Sequence, residues 1–435
     1  MPVFRFYSII LAILFVCANA AYAGPEEDLT LQDVFTHVYL GNPVLQAARE
    51  GQRAAEEQYP QARAGWLPTV DAEANIIATD INTGNFSNGN GATTKGALIS
   101  VEQPLFRGFR TTGEIERARQ RIAAGDASLL QTEQDIFLKA ATAYIDVVRD
   151  RQIFSLQQKS KDRYGAERES VQARFDAGVL TRTDVQQTEA RYANALAEEA
   201  VAGAALKRSE AAFEEVTGIF PVSAMSVPVI GFSFPHTADE FLSLASAQNP
   251  ELARTRFSHG AAREDITVAQ SRYYPEVAAF ASYAKDYDPQ PGIVDETDIS
   301  TIGLRARINL YEGGVTRSRE REAKFRANQR LIEIRGAEIA VKRDLISHWR
   351  RYLAYDAEIS ARELEVTAAR LSGEGVREEA RIGDRTVLDT LEAEQDVLTA
   401  EKNLIEAKRG RFLSAYQLAA ALGMLTAERL GVLTE

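Results

Sequence analysis

This chain has little of what a catalytic or disulfide-bonded protein relies on. Its 435 residues include one cysteine, two tryptophans, three methionines and four histidines. The cysteine, Cys17, falls inside an apparent leader, so the rest of the chain has no disulfide framework and must draw its stability from size and packing. His37, His236, His259 and His348 are scattered without ligand spacing. No nucleophile motif or glycine-rich phosphate loop stands out. No enzyme activity, metal or cofactor is therefore expected. His348, beside Trp349, reads as packing on a helical stripe. Basic residues are outnumbered, 50 against 62 acidic, for a net charge of −12. That balance argues against nucleic acid as a partner. Past residue 23 no apolar run approaches the roughly 18 residues of a spanning helix. Any membrane span must then be made of strands.

The first 23 residues read as a cleaved secretory signal. Arg5 is their only charge, Ile9 to Ala18 form an apolar core, and Ala21-Tyr22-Ala23 is an A-x-A cleavage site. A lipoprotein signal would need a small residue before Cys17, and Val16 stands there instead.

Proline is confined as well. None occurs in 105–220 or 292–435, and both stretches are rich in Ala, Glu, Gln, Arg and Leu, which is long-helix composition. Apolar residues recur there at sevens, in Ile115, Ile122, Leu129 and Ile136 and again in Leu391, Leu398, Ile405 and Phe412. A seven-residue repeat gives coiled-coil packing between neighbouring helices. Each stretch breaks once, at Gly178 and Gly383. Thr181 with Asp184, and Thr386 with Asp389, then restart a helix as capping boxes.

What the chain does have, it has twice. Asn42-Pro43 recurs as Asn249-Pro250, and Trp66-Leu67-Pro68 as Tyr273-Tyr274-Pro275. Gly178, Asp184 and Gly218 recur as Gly383, Asp389 and Gly423. The expected organisation is a first repeat over 24–221, a proline-bearing linker at 222–236 and a second repeat over 237–435. Helices are expected at 43–66, 112–173 and 180–217, and at 250–272, 314–375 and 384–422. In each half the two shorter helices together match the long one in length, so they are expected to stack end to end along it. At 1.5 Å per residue the result is a wall about 90 Å long.

Two strands are expected per repeat, at 68–81 and 94–106 and at 275–287 and 298–310. Val70, Ala72, Ala74 and Ile76 alternate with Asp71, Glu73 and Asn75. Ile302, Leu304, Ala306 and Ile308 alternate with Arg305 and Arg307. The tips between them, 82–93 and 288–298, are polar. One apolar and one polar face suits a transmembrane barrel or a soluble hairpin lying on a helical core, and alternation alone does not separate the two. Trp66, Phe106, Phe109, Tyr273, Tyr274 and Tyr311 gather at the strand ends nearest the helices, where a membrane interface would hold them. Four strands cannot close a pore, so spanning strands require several chains. Three chains would give twelve strands.

Leu29-Thr30-Leu31 leading to Asn42-Pro43, Gln103-Pro104-Leu105-Phe106, and Ala143-Tyr144-Ile145-Asp146-Val147 resemble the TolC family of outer-membrane channel-tunnels. So do the run from Arg174-Phe175-Asp176-Ala177-Gly178 to Asp184-Val185 and the segment Gly383-Asp384-Arg385-Thr386-Val387-Leu388-Asp389. The resemblance covers essentially the whole chain past the leader, and is greatest to the branch serving type I protein secretion. It implies a mainly α-helical homotrimer in the outer membrane of a Gram-negative bacterium. Long coiled-coil helices would form a periplasmic α-barrel, capped by a shared twelve-stranded β-barrel in outer-membrane lipid.

The resemblance also implies a gate at the helix turns. Asp389 and Glu392 would form an acidic ring, and Arg385 would bond to the neighbouring tip near Thr183 and Asp184. Ala380 stands where the family commonly has a tyrosine for a further link, which implies a looser gate. Phe175, Gly178, Val179, Leu180 and Gly383 would meet a periplasmic adaptor, a membrane fusion protein. An inner-membrane transporter, of the ATP-binding-cassette or the proton-driven kind, would supply the energy. The expected function is thus a passive exit duct for proteins or small toxic molecules. The alternative is a periplasmic coiled-coil adaptor or structural protein without a pore. A single hairpin would serve an adaptor; the duplicated hairpin with four amphipathic strands favours the duct.

Overall fold

The structure is a computed structural model that describes residues 29–79, 92–221, 225–235, 237–290 and 294–432. The expected leader, residues 80–81 of the first expected strand, 82–91 of the first tip, 222–224 and 236 of the expected linker and 291–293 of the second tip lie outside the described residues.

Each repeat opens on a helix not among those expected above, α1 (Leu31–Gly41) and α6 (Ala238–Gln248). At 11 residues each is too short to show a period of its own. Their starts are nevertheless written in capping residues. Thr30 and Asp33 form a capping box, and the Thr237 hydroxyl accepts from the Glu240 amide. Both helices run into the repeated Asn-Pro, which starts α2 (Pro43–Glu56) and α7 (Pro250–Gln270). The Asn42 side chain accepts from the Val44 amide at 2.9 Å and donates to the Val216 carbonyl at 2.9 Å. Asn249 accepts from the Leu252 amide at 3.1 Å and donates to the Ala421 carbonyl at 2.9 Å. One side chain thus caps the start of one helix and satisfies the last turn of another, a requirement that each repeat meets with the same dipeptide.

The expected helix 43–66 is broken. After α2 comes α3 (Gln58–Arg63) and a 3₁₀ turn at Ala64–Trp66. Pro60 has no amide hydrogen and crowds the carbonyl four residues back, which interrupts the ladder. The long helices are α4 (Arg110–Asp176, 67 residues) and α8 (Val315–Ile382, 68 residues), each about 100 Å long. Their returning partners are α5 (Arg182–Thr217) and α9 (Val387–Ala421). α8 runs seven residues past the expected end at 375, because Val376–Ile382 holds no helix breaker and Gly383 is the first left-handed residue, at φ 93°. Toward the sheet, α4 packs on α2, α3 and α7, and α7 also packs on α8; away from it, α4 pairs with α5 and α8 with α9.

The main core surrounds the middle of α4. Phe35, Phe137, Tyr144 and Phe213 are essentially inaccessible there, beside Phe412 and Tyr416. Residues 225–235 run without helix or strand across this core and turn Ile230, Phe232 and Phe234 inward. The Tyr144 hydroxyl lies 2.9 Å from both the Leu29 and the Ser226 carbonyl oxygens, tying the segment before α1 and this crossing to α4. His348 is half-buried near Trp349, and burial lowers its pKa below the ordinary value.

The strands β1 (Thr69–Thr79), β2 (Ala92–Arg107), β3 (Glu276–Gln290) and β4 (Val294–Arg307) form one antiparallel sheet in sequence order. The second tip is tighter than the expected 288–298. β3 continues through a register shift between Tyr287 and Gln290, which accommodates Pro289, a residue with no amide hydrogen for the ladder. Pro104 is accommodated in the same way, beside a shift between Pro104 and Phe106.

Register sorts the side chains in the rows nearest the helices, whereas farther out Lys95, Lys285, Glu296 and Asp298 join the face of Val70 and Ala72. Val70, Val101, Ala281 and Ile302 form one cross-strand row, and Ala72, Ile99, Tyr283 and Ser300 the next, on one apolar face. Asp71, Ser100, Ser282 and Thr301 form a row on the other. The apolar face is uncovered, with Ile302 88% exposed and Leu304 73%. No described residue pairs with the outer edge of β1 or of β4. α8 carries a second uncovered surface in Phe325, Ile332, Ile339, Ile346 and Leu353, large apolar residues exposed at every seventh position. No helix among the described residues is long and apolar enough to cross a membrane.

Candidate functional site at the two helix turns

The two turns that join α4 to α5 and α8 to α9 have the same backbone. At the first, Gly178 is left-handed (φ 76°), its amide donates to the Phe175 carbonyl at 2.8 Å, and the Val179 amide donates to the Arg174 carbonyl at 2.9 Å. At the second, Gly383 donates to the Ala380 carbonyl at 3.3 Å and Asp384 to the Glu379 carbonyl at 2.9 Å. Both are closures of the kind that glycine permits at a helix C-terminus. Each following helix then starts on a capping box. The Asp184 carboxylate accepts from the Thr181 amide at 2.9 Å and hydroxyl at 2.7 Å, and Asp389 accepts from Thr386 at 2.9 and 2.8 Å. These bonds favour the charged form and hold both aspartates below the ordinary carboxylate range. The Thr181 side chain is the main cause for Asp184, and the Thr386 backbone amide for Asp389.

The side chains differ. Val179 stands 66% exposed at the first turn, with Phe175 at its margin. Leu180 turns back instead. It packs with Val185 and Tyr192 against a buried cluster of Tyr164, Val171, Ala195, Val387 and Leu391, so it closes the turn from beneath. Gly178 has open space where a Cβ would go, but its positive φ strains any substitution. At the second turn Asp384 and Arg385 occupy the places of Val179 and Leu180. Arg385 donates to Glu379 at 2.8 Å, and that carboxylate is the main reason its pKa is raised. Within one chain, then, Arg385 is held by its own turn. No bond from it to Thr183 or Asp184 is present among the described residues of one chain. Thr183 is exposed. Glu392 is exposed and has no ion-pair partner among the described residues. Spacing puts Asp389, Glu392 and Asp396 on the face of α9 opposite the buried Val387 and Leu391.

Sequence reasoning missed the contacts that hold the two turns side by side. Glu394 on α9 receives Arg163 of α4 at 3.1 Å and also Arg377 of α8. Two turns of helix away Arg370 pairs with Glu401. Tyr164 beneath them is buried, with its hydroxyl unpaired among the described residues and its pKa raised by that burial. Arg163 and Glu394 are 231 positions apart, a separation at which no local pattern signals the pair.

The chain matches the family model for outer membrane efflux proteins twice, over residues 37–219 and 241–424. It is 29% identical over 409 residues to the outer membrane efflux protein BepC of Brucella suis, covering 93% of this chain and 87% of that one. It is 24% identical over 440 residues to the outer membrane protein TolC of Escherichia coli, covering 97% and 87%. A crystal structure of CusC superposes with a TM-score of 0.81 over 90% of this chain and 92% of that one, at 14% identity. The duplicated hairpins, the four-stranded sheet and this double match agree: the chain belongs to the outer membrane efflux protein family, as an export channel of the Gram-negative outer membrane.

Proposed function

We propose that three copies of this chain close a twelve-stranded barrel and a helical tunnel. Together they form the exit duct of a machine whose inner-membrane transporter drives export through a periplasmic adaptor. The observation that carries this is the sheet. Toward the helices it has one apolar face and one polar face, and its two edges have no partner among the described residues. A four-stranded sheet cannot satisfy its edge amides and carbonyls in lipid, whereas a closed barrel can. The uncovered heptad stripe on α8 supports a matching helical seam between copies, since α2 presents small exposed residues at Ala47, Gly51 and Ala54.

At the far end, Asp389 and Glu392 of each copy would line the narrowest part of the tunnel, and a ring of carboxylates there would favour cations. Val179 is the residue best placed to meet the adaptor, with Phe175 beside it and the Gly178 and Gly383 turns shaping the two tips. Arg385, Thr183 and Asp184 would link neighbouring tips until docking parts them. The smaller side chain at Ala380 is consistent with a gate that opens readily.

Two measurements test the proposal. The purified chain should run as a heat-modifiable trimer and conduct in planar bilayers; a soluble, non-conducting monomer would refute the duct. A photo-cross-linker at Val179 should capture an adaptor in cells. Co-capture of an ATP-binding-cassette transporter would identify protein secretion, and co-capture of a proton-driven pump would identify efflux of small molecules.

A further inference from the structure

The polar face of the sheet is divided by charge along its length. Glu102, Phe280 and Gly303 share one cross-strand row, and Arg305 lies in the next row toward the helices. Glu276 and Arg307 share the row after that. The Phe280 ring covers Gly303, where a Cβ would meet it at 2.9 Å. The Arg305 guanidinium sits 4.7 Å from the ring centroid and 3.5 Å from Glu102. Glu276 is taken by Arg110 at 3.3 Å. Arg107 turns away, against Gly65 and the Thr111 hydroxyl. Arg307 is exposed and has no ion-pair partner among the described residues. Outward of the Gly303 row the same face carries Asp71, Glu73 and Asp286 and, among the described residues, no lysine or arginine.

We infer that Arg305 and Arg307, repeated around the closed barrel, form a cationic collar where the tunnel enters the barrel, a binding station for carboxylate or phosphate groups on passing cargo. The inference rests on the duct reading, with the polar face turned inward. Guanidinium suits this task because its planar fork pairs bidentately with both groups. Stacking on Phe280 and the pair with Glu102 hold Arg305 in place, and the rest of its planar fork, with the unpaired Arg307, faces the cargo. The low-dielectric wall strengthens the field of such a ring within the lumen. Charge selectivity is then set in two places, by the carboxylates at the tip and by this collar, and the collar offsets part of the preference for cations.

The full-length trimer in planar bilayers tests this. Under a KCl gradient, the Arg305→Gln, Arg307→Gln double variant should raise the potassium-to-chloride permeability ratio by about threefold. Inositol hexakisphosphate added from the barrel side should block the parent current, and the double variant should weaken that block by about tenfold. Arg305→Lys with Arg307→Lys keeps the charge, so it should keep the permeability ratio near that of the parent, and heat-modifiable migration confirms that each variant assembles. Unchanged ratio and unchanged block in a conducting double variant would overturn the collar and leave the duct standing. A parent chain that assembles but does not conduct would overturn both.

Discussion

The two helix turns show how one backbone can carry two chemistries. Both close on a left-handed glycine, and both restart on Thr-x-x-Asp with matching hydrogen bonds. Between those fixed points the first turn offers Val179 to solvent, whereas the second offers Asp384 and Arg385. The shared residues are those the turn needs in order to exist. The differing ones are free of that duty, and they are where a docking surface and a charged lock can diverge. Duplication thus leaves the geometry constant while the contact chemistry varies.

If this division holds, exchanging the exposed residues should have the largest effect. Val179→Asp should abolish export in a complementation assay, a loss of more than about tenfold for a central apolar anchor. Asp384→Val should leave export within about twofold. Equal losses at both turns would erase the distinction. Next in size is Glu394→Ala, which leaves Arg163 and Arg377 facing each other without their shared carboxylate. Removing one partner of such a node costs more than deleting an exposed pair, which is worth about 0–1 kcal/mol. Single-channel conductance should therefore rise more in Glu394→Ala than in Arg385→Ala, and the reverse order would place the lock at Arg385.

Smaller effects should be alike at the two turns. Thr181→Ala and Thr386→Ala each remove an N-cap worth about 1 kcal/mol. Amide exchange at 182–185 and 387–390 should quicken by a similar factor, and an effect confined to one turn would count against a common backbone design. The gentlest probe is acid. Asp184 and Asp389 have folded pKa values below the ordinary 3.8, so their contribution is complete above that value. It is lost as pH falls through the lowered values. Both turns should loosen together below about pH 4, read by exchange or by cross-linking at the tips.

Much of this was legible in the sequence because the informative residues act locally. Gly178 and Gly383 end helices by their own conformational freedom, and strand alternation from Val70 to Ile76 assigns faces without knowledge of a partner strand. Asn42 and Asn249 were visible as a repeat, but their reason was not, since it depends on carbonyls at Val216 and Ala421 more than 170 positions away. The short α1 and α6 give too few residues for a period to stand out, although Thr30 and Thr237 mark their starts. The break that Pro60 makes in the first helix is masked by the helix-forming residues on both sides of it. Leu180, expected on the docking surface, packs inward because a turn also needs an apolar residue beneath it. Glu394 was out of reach, since its partners come from two other helices.

The order of the strands has a kinetic consequence. The helical hairpins join residues close in sequence, whereas the central pairing of the sheet sets Glu102 against Phe280, about 180 positions away. Short-range contacts form early and long-range strand pairing late. The helical hairpins and the β1–β2 and β3–β4 pairs should be complete while β2 and β3 are still unjoined, so the sheet that suits the chain to lipid is assembled late.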